Sequence, residues 1–336
     1  MKLLYAIQGT GNGHVSRARD VVPALEQYGH VDVLISGTQS EVKLPFELKY
    51  RFKGASFIYN KKGGIDYFRS ARLNLTPRLL GEVHSLPITS YDLVINDFEP
   101  VSSWACRFRG VPCVAMGHQA AFLSERTPRP AHRDPLGEWI LQHYAPAQHA
   151  VGFHFDRYDS FIYPPVIRAD VRAQTPGDGG YYTVYLPAFN EQVLIGILKQ
   201  LPETQWQVFS RYAKSDFRDR NVWVRRVDAA AFTESLVHCT GILSGAGFET
   251  PAEALYLGKK IFTVPIRGQY EQYCNGESLR RLGVQVVRSL DQNPAGLLRT
   301  WIETGKPVKV DYPDELHAAI QHAFRLAGKA AVREAV

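Results

Sequence analysis

From Gly241 to Val264 the chain runs through an apolar strand, a glycine turn, a helix and a second strand. The turn is Ser244-Gly245-Ala246-Gly247, the helix opens through Phe248-Glu249-Thr250, and Gly258 follows its last turn, Leu255-Tyr256-Leu257. Pro251 falls in the first turn, where a missing N–H costs nothing. Strands joined by a helix pair in parallel with a right-handed crossover. The start of the chain repeats this order. Lys2 to Gln8 is a buried-type apolar run, Gly9-Thr10-Gly11-Asn12-Gly13-His14 is the turn, and His14 to Tyr28 carries Val15, Ala18, Val22 and Leu25 on one face before Gly29. Pro23 is expected to kink that helix, and Val31 to Ser36 is the returning strand. Two such units confine the chain to doubly wound α/β architecture.

The 336 residues suit two domains of about 150 each. In the first half, short aromatic strands are expected between Leu44 and Asn60. Strands follow at Leu93 to Asn96, Cys113 to Met116 and Ala150 to Phe155, with helices at Val101 to Phe108 and His132 to Tyr144. Tyr163-Pro164-Pro165, Pro176 and Gly177-Asp178-Gly179-Gly180 are linker signals. The expected division is 1–165, a linker at 166–180, and a second doubly wound domain at 181–312. Its strands are Tyr182 to Leu186, Trp206 to Ser210, Val222 to Val224, Gly241 to Ser244, Ile261 to Val264 and Gln285 to Val287. Asn190 is read as the N-cap of a helix from Glu191 to Lys199. Residues 313–336 carry an amphipathic helix from Pro313 to Leu326.

Composition excludes several classes. Lys plus Arg is 39 against 33 for Asp plus Glu, a net charge of +6 that suits anionic ligands without demanding nucleic acid. Arg17, Arg19, Arg107, Arg109, Arg225 and Arg226 each read as surface residues. Cys106, Cys113, Cys239 and Cys274 form no C-x-x-C, and Cys239 is placed in a buried strand; neither a metal site nor a disulfide framework is expected. The first apolar run is too short and glycine-bound for a signal sequence, and no run reaches about 18 residues, so a cytoplasmic protein is expected. Contact with the inner face of a membrane stays open.

A glycine turn at a helix start offers free N–H groups and a partial positive charge, which suits phosphate. Glu253 lies about one and a half turns into that helix, placed to accept ribose hydroxyls. Glu271-Gln272, followed by Asn275, supplies acceptors and an amide for sugar hydroxyls. Together these residues suggest a nucleotide-sugar site. The pattern Gly-x5-Glu-Ala-x3-Gly, then x-Pro, then Glu-Gln-x-x-Asn resembles the donor signature of GT-B glycosyltransferases. The similar families are the UDP-sugar glycosyltransferases of small molecules and the peptidoglycan N-acetylglucosaminyltransferase, a family 28-like enzyme with a lipid-linked acceptor. The resemblance implies a GT-B fold: two Rossmann-like domains, a cleft between them, and a last helix that crosses back onto the first domain.

The Gly9 to His14 turn lacks the final glycine of a dinucleotide fingerprint and the Lys-Ser/Thr of a phosphate loop. It resembles instead the Gly-His turn of the same families, whose histidine faces the cleft. The resemblance makes His14 the base, with a carboxylate from the end of a neighbouring strand fixing its tautomer. Asp97 fits that place and Glu99 is the alternative; Asp97 as a plain helix cap is the competing reading. Gly11, Asn12, Gly13, His118, Gln119, Asn190 and Val227 are further cleft candidates. The donor set is Ser244, Gly245, Ala246, Gly247, Phe248, Glu249, Thr250, Glu253, Glu271, Gln272 and Asn275. Glu249 departs from the relatives, since a carboxylate beside a diphosphate is unfavourable unless it turns away or is compensated.

What the resemblance implies is an inverting hexosyltransferase. It would move a sugar from a nucleotide diphosphate sugar, UDP-linked, to a hydroxyl acceptor that lipid-linked molecules also offer. Neither a cofactor nor a metal is expected, because backbone amides and a helix dipole can carry leaving-group charge. Two other readings stay open: a nucleotide-sugar epimerase on the same fold, and a non-catalytic nucleotide-sugar-binding protein. Acceptor choice is assigned to the N-terminal domain, whose segment from Lys53 to Thr76 is aromatic and basic, with Phe57, Tyr59, Lys61, Lys62, Tyr67, Phe68, Arg69 and Arg72.

Overall fold

The computed structural model describes residues 1–37, 44–54 and 77–330. Among them the first half forms a seven-stranded sheet: β1 (Lys2–Gln8), β2 (His30–Ser36), β3 (Tyr50–Phe52), β4 (Leu93–Asp97), β5 (Cys113–Gly117), β6 (His149–Phe153) and β7 (Ile162–Tyr163). Its order is β3-β2-β1-β4-β5-β6-β7, with every pairing parallel. The helices are α1 (Asn12–Glu26), α2 (Pro77–Ser85), α3 (Pro100–Arg109) and α4 (Pro135–His143). The alternation of β1 divides the core. Leu3, Tyr5 and Ile7 face Val15, Ala18 and Val22 of α1, while Leu4 and Ala6 face Val83 of α2 and Val101 and Ala105 of α3.

The second half repeats the plan with β8 (Tyr181–Tyr185), β9 (Gln205–Ser210), β10 (Phe217–Asp219), β11 (Val222–Arg226), β12 (Gly241–Ser244), β13 (Lys260–Thr263) and β14 (Gln285–Val286). Its order is β10-β11-β9-β8-β12-β13-β14, parallel except for the edge hairpin of β10 with β11. The helices are α5 (Ala169–Arg172), α6 (Glu191–Leu198), α7 (Ala229–His238), α8 (Glu249–Tyr256), α9 (Tyr270–Arg281), α10 (Pro294–Thr304) and α11 (Leu316–Leu326). Both halves are therefore α/β and doubly wound, as a GT-B fold requires. In each, the strand order reverses beside the first strand, and that switch point opens the ligand crevice.

The last helix returns to the first half. Phe324 of α11 meets Tyr28 edge-on at 5.2 Å, and Tyr312 donates to the Phe155 carbonyl at 2.9 Å. Residues 166–180 are strapped to the second half: Gly177 and Gly179 donate to the carbonyls of Val237 and His238, and buried Lys259 donates to Gly177 and Cys239.

Two local expectations differ from the structure, and one strand was not expected. Cys239 is buried in the turn after α7 rather than in a strand, because its N–H still closes that helix onto Ser235. Within Leu44 to Asn60 the described residues form only β3, since Leu44 to Lys49 lack a neighbouring ladder beyond the Lys49 N–H on Val33. Strand β10 carries too few apolar residues to read as a strand, and pairs through a turn with Arg220 at φ 56°. Most of the Lys53 to Thr76 segment, residues 55–76, lies outside the described residues.

Candidate active site

Four turns at the C-terminal ends of strands meet across the cleft. After β1, the turn from Gly9 runs into α1, with Gly11 as its uncapped N-cap; Asn12 and Gly13 already belong to the helix. His14 and Arg17 are one turn apart on α1 and so share a face. After β4 the chain turns at Phe98, whose φ of 57° is in the left-handed region. That conformation is costly for a side chain of this size, and it places Asp97 and Glu99 in different surroundings.

Asp97 is fully buried and accepts from His14 Nδ1 at 2.9 Å, from Arg17 Nη2 at 2.8 Å and Nε at 3.2 Å, and from the Tyr5 hydroxyl at 3.3 Å. Burial alone would raise its pKa, but Arg17 and His14 outweigh burial and hold it at about 2. An ionised Asp97 only accepts, so the His14 proton sits on Nδ1 and the lone pair on Nε2. Glu99 is turned away from His14. Its carboxylate caps α3, accepting from the N–H groups of Val101 and Ser102 at 2.7 Å. The alternatives are thus resolved in position: Asp97 meets His14, and Glu99 is the cap.

Arg17 was not singled out by the sequence. It is 2% exposed and forks between Asp97 and Glu249, the first residue of α8 in the other half. Burial pushes the Glu249 carboxyl up to about 7; Arg17 opposes the shift, and Glu253 and Asp97 add to it. Two glycines make room. A Cβ on Gly117 would lie 2.3 Å from Asp97 Oδ1, and one on Gly13 would lie 3.1 Å from Glu249 Cγ.

The second rim is closed by His118 and Gln119. His118 Nε2 lies 2.8 Å from Asn275 Oδ1 and its ring stacks on Phe248 at 3.9 Å; burial lowers its pKa. Asn275 also donates to the Ala246 carbonyl at 3.1 Å, which ties α9 to the glycine turn. Gln119 donates to Glu271 Oε2 at 3.1 Å, and the same nitrogen stands 3.4 Å from His14 Nε2. Its Oε1 is buried without a hydrogen-bond partner. Gln119 also lines a cavity of about 20 Å³ with Asn96, Phe98, Gly117 and Leu141.

The remaining candidates fall into three groups. Ser244 ends β12, Gly245, Ala246 and Gly247 form the turn, Phe248 precedes α8, and no side chain caps that helix where Glu249 and Thr250 begin it. Gln272 accepts from the Ile266 N–H at 2.9 Å, so it shapes the turn before α9. Asn190 caps α6 through Gln192, and Val227 lies between β11 and α7. Glu253, expected at a ribose, is 5% exposed and accepts from Arg168 Nε at 2.6 Å and Nη2 at 3.0 Å. Sequence reading missed Arg168, because a basic residue in a linker carries no sign of its partner.

The comparisons with known proteins agree with this architecture. Solved structures superpose over nearly the whole chain. UGT89C1 of Arabidopsis thaliana, complexed with UDP, is 12% identical with a TM-score of 0.61, covering 99% of this chain and 95% of its own. UGT2 of Phytolacca americana, complexed with UDP-2fluoro-glucose and pterostilbene, is 12% identical with a TM-score of 0.57, over 97% and 93%. The glycosyltransferase SnogD of Streptomyces nogalater is 14% identical with a TM-score of 0.54, over 98% and 95%. No curated protein matches by sequence. Residues 1–302 match the family model described as glycosyl transferase family 1. The chain has the GT-B fold and belongs to glycosyl transferase family 1.

Proposed function

We propose that this glycosyltransferase moves a hexosyl group from a nucleotide diphosphate sugar, UDP-linked, to a hydroxyl acceptor with inversion at the anomeric carbon. The observation that carries the reading is the 2.9 Å contact of His14 Nδ1 with Asp97, which leaves the Nε2 lone pair as the base, now facing the Gln119 amide at 3.4 Å, a place the acceptor hydroxyl would take. His14 Nε2 takes the acceptor proton as the acceptor oxygen bonds to the anomeric carbon. The bond from that carbon to the diphosphate breaks, and its electron pair leaves with the diphosphate. Asp97 stabilises the imidazolium that forms. The uncapped start of α8 receives the leaving-group charge, so no metal or other cofactor is required in this reading. Glu271 and Gln272 face the sugar, and Glu253 serves the ribose while sharing Arg168. The solved relatives described with UDP support a UDP-linked donor. Among the described residues no helix is long and apolar enough to cross a membrane.

A thermal-shift panel of nucleotides and nucleotide sugars comes first, since a ligand at 100 times its Kd stabilises by about 2.7 kcal/mol. His14→Ala should then lower kcat by about 10²–10⁴ with donor affinity nearly intact. The product of an α-linked donor should be β-linked by NMR. An α-linked product, or His14→Ala at full speed, overturns the mechanism.

A further inference from the structure

A carboxylate at the mouth of a phosphate-binding helix should repel its ligand. Glu249 nevertheless opens α8, and the surroundings are shaped to hold it there: Arg17 grips it from the first half, and Gly13 leaves room for its Cγ. Arg17 is itself buried and already neutralised by Asp97. The three groups Asp97, Arg17 and Glu249 therefore hold one cation for two carboxylates when both are ionised. A nucleotide diphosphate entering beside Glu249 adds more negative charge to a site that is short of positive charge.

The groups facing Glu249 are few. On α1 they are Arg17 and His14, at the end of β4 Asp97, on β1 the Tyr5 phenol, and on its own helix Glu253. Among these Arg17 and His14 can carry positive charge, and Arg17 is always charged. The least costly way to admit the diphosphate is to discharge the carboxylate nearest to it. Its raised pKa, about 7, places that proton within easy reach at neutral pH.

We propose that Glu249 is a proton-linked part of the diphosphate site: nucleotide binding is coupled to uptake of a proton by its carboxylate, while Arg17 holds it in register with Asp97. This rests on the reading of the 244–250 turn as the diphosphate cradle. It gives a function to the one residue of that turn that departs from the related families. Binding of UDP should weaken as pH rises through and above 7, by up to about tenfold per pH unit when a full proton is taken up.

The test is calorimetry of UDP binding to the full chain between pH 6.5 and 8.5, in buffers of different ionisation enthalpy. The wild-type protein should take up a fraction of a proton at pH 7.5, and its Kd should rise with pH. Glu249→Gln should show neither effect beyond the titration of UDP itself, and should bind UDP several-fold tighter than wild type at pH 8.5. Equal proton counts in the two proteins overturn the proposal, as does weaker binding by Glu249→Gln across the range. If neither protein binds UDP or any nucleotide of the thermal-shift panel, the cradle reading itself falls and the proposal falls with it.

Discussion

Asp97 and Glu249 grip the same guanidinium from opposite walls of the cleft, yet their environments drive them in opposite directions. Burial penalises the charge on both. Asp97 meets that penalty with donors from Arg17, His14 and Tyr5 on its two oxygens, and its pKa falls to about 2. Glu249 has Arg17 on one oxygen and two carboxylates nearby, and its pKa rises to about 7. Burial raises both; for Asp97 the charges of Arg17 and His14 outweigh it, whereas for Glu249 Arg17 alone does not and two neighbouring carboxylates add to it. The wall of the first half holds a permanent anion at Asp97, and the wall of the second half holds an adjustable one at Glu249.

Removing the shared cation should show the largest effect. Arg17→Met leaves two carboxylates in a buried site without their counter-charge. Breaking a buried ion pair from one side costs about 3–5 kcal/mol. Urea denaturation at pH 7 should show a loss of that order, and Glu249→Gln in the Arg17→Met background should recover part of it. A loss below about 1 kcal/mol would mean that the two carboxylates do not depend on Arg17.

The pH dependence separates the two walls. Glu249 is raised in the folded protein, so its share of stability is whole below its ordinary value of 4.5 and is lost as pH rises to about 7. The interval corresponds to about 3 kcal/mol. Asp97 is depressed, so its share is whole above its ordinary value of 3.8 and is lost as pH falls toward 2, about 2–3 kcal/mol. Urea midpoints should therefore fall on both sides of a maximum between pH 4 and 5 for this cluster. Glu249→Gln should flatten the neutral side alone. Flattening of the acid side by that substitution, with the neutral side unchanged, would reverse the assignment of the two carboxylates.

This contrast also marks the limit of what the sequence discloses. The two strand-turn-helix units were legible because period, glycine and helix length are local properties. His14 stood out through the glycines before it, and Asp97 through its place at a strand end. The choice between Asp97 and Glu99 depended on the left-handed Phe98, which local residue types do not announce. Arg17 read as surface charge because its partners lie 80 and 232 residues away. One signal was present: Arg17 adjoins Ala18 on a helix whose buried side holds Val15, Ala18 and Val22, and sits one turn from His14. A charge so placed requires a partner.

The smallest effect is expected about one turn further along α8, where Glu253 and Arg168 form a second buried ion pair. Both Glu253 oxygens already accept from Arg168, so a ribose would share acceptors rather than find free ones. Glu253→Gln retains the size and one acceptor oxygen. It should weaken UDP binding by about 1.5–2 kcal/mol, the lower part of what a hydrogen bond to a charged group contributes. Calorimetry with UDP and with its 2′-deoxy analogue tests the origin of the loss. If Glu253 holds the ribose, the variant should discriminate less between the two nucleotides than wild type does. If the discrimination is unchanged, Glu253 acts only through Arg168, fixing the 166–180 segment against the second half, and the ribose is held elsewhere.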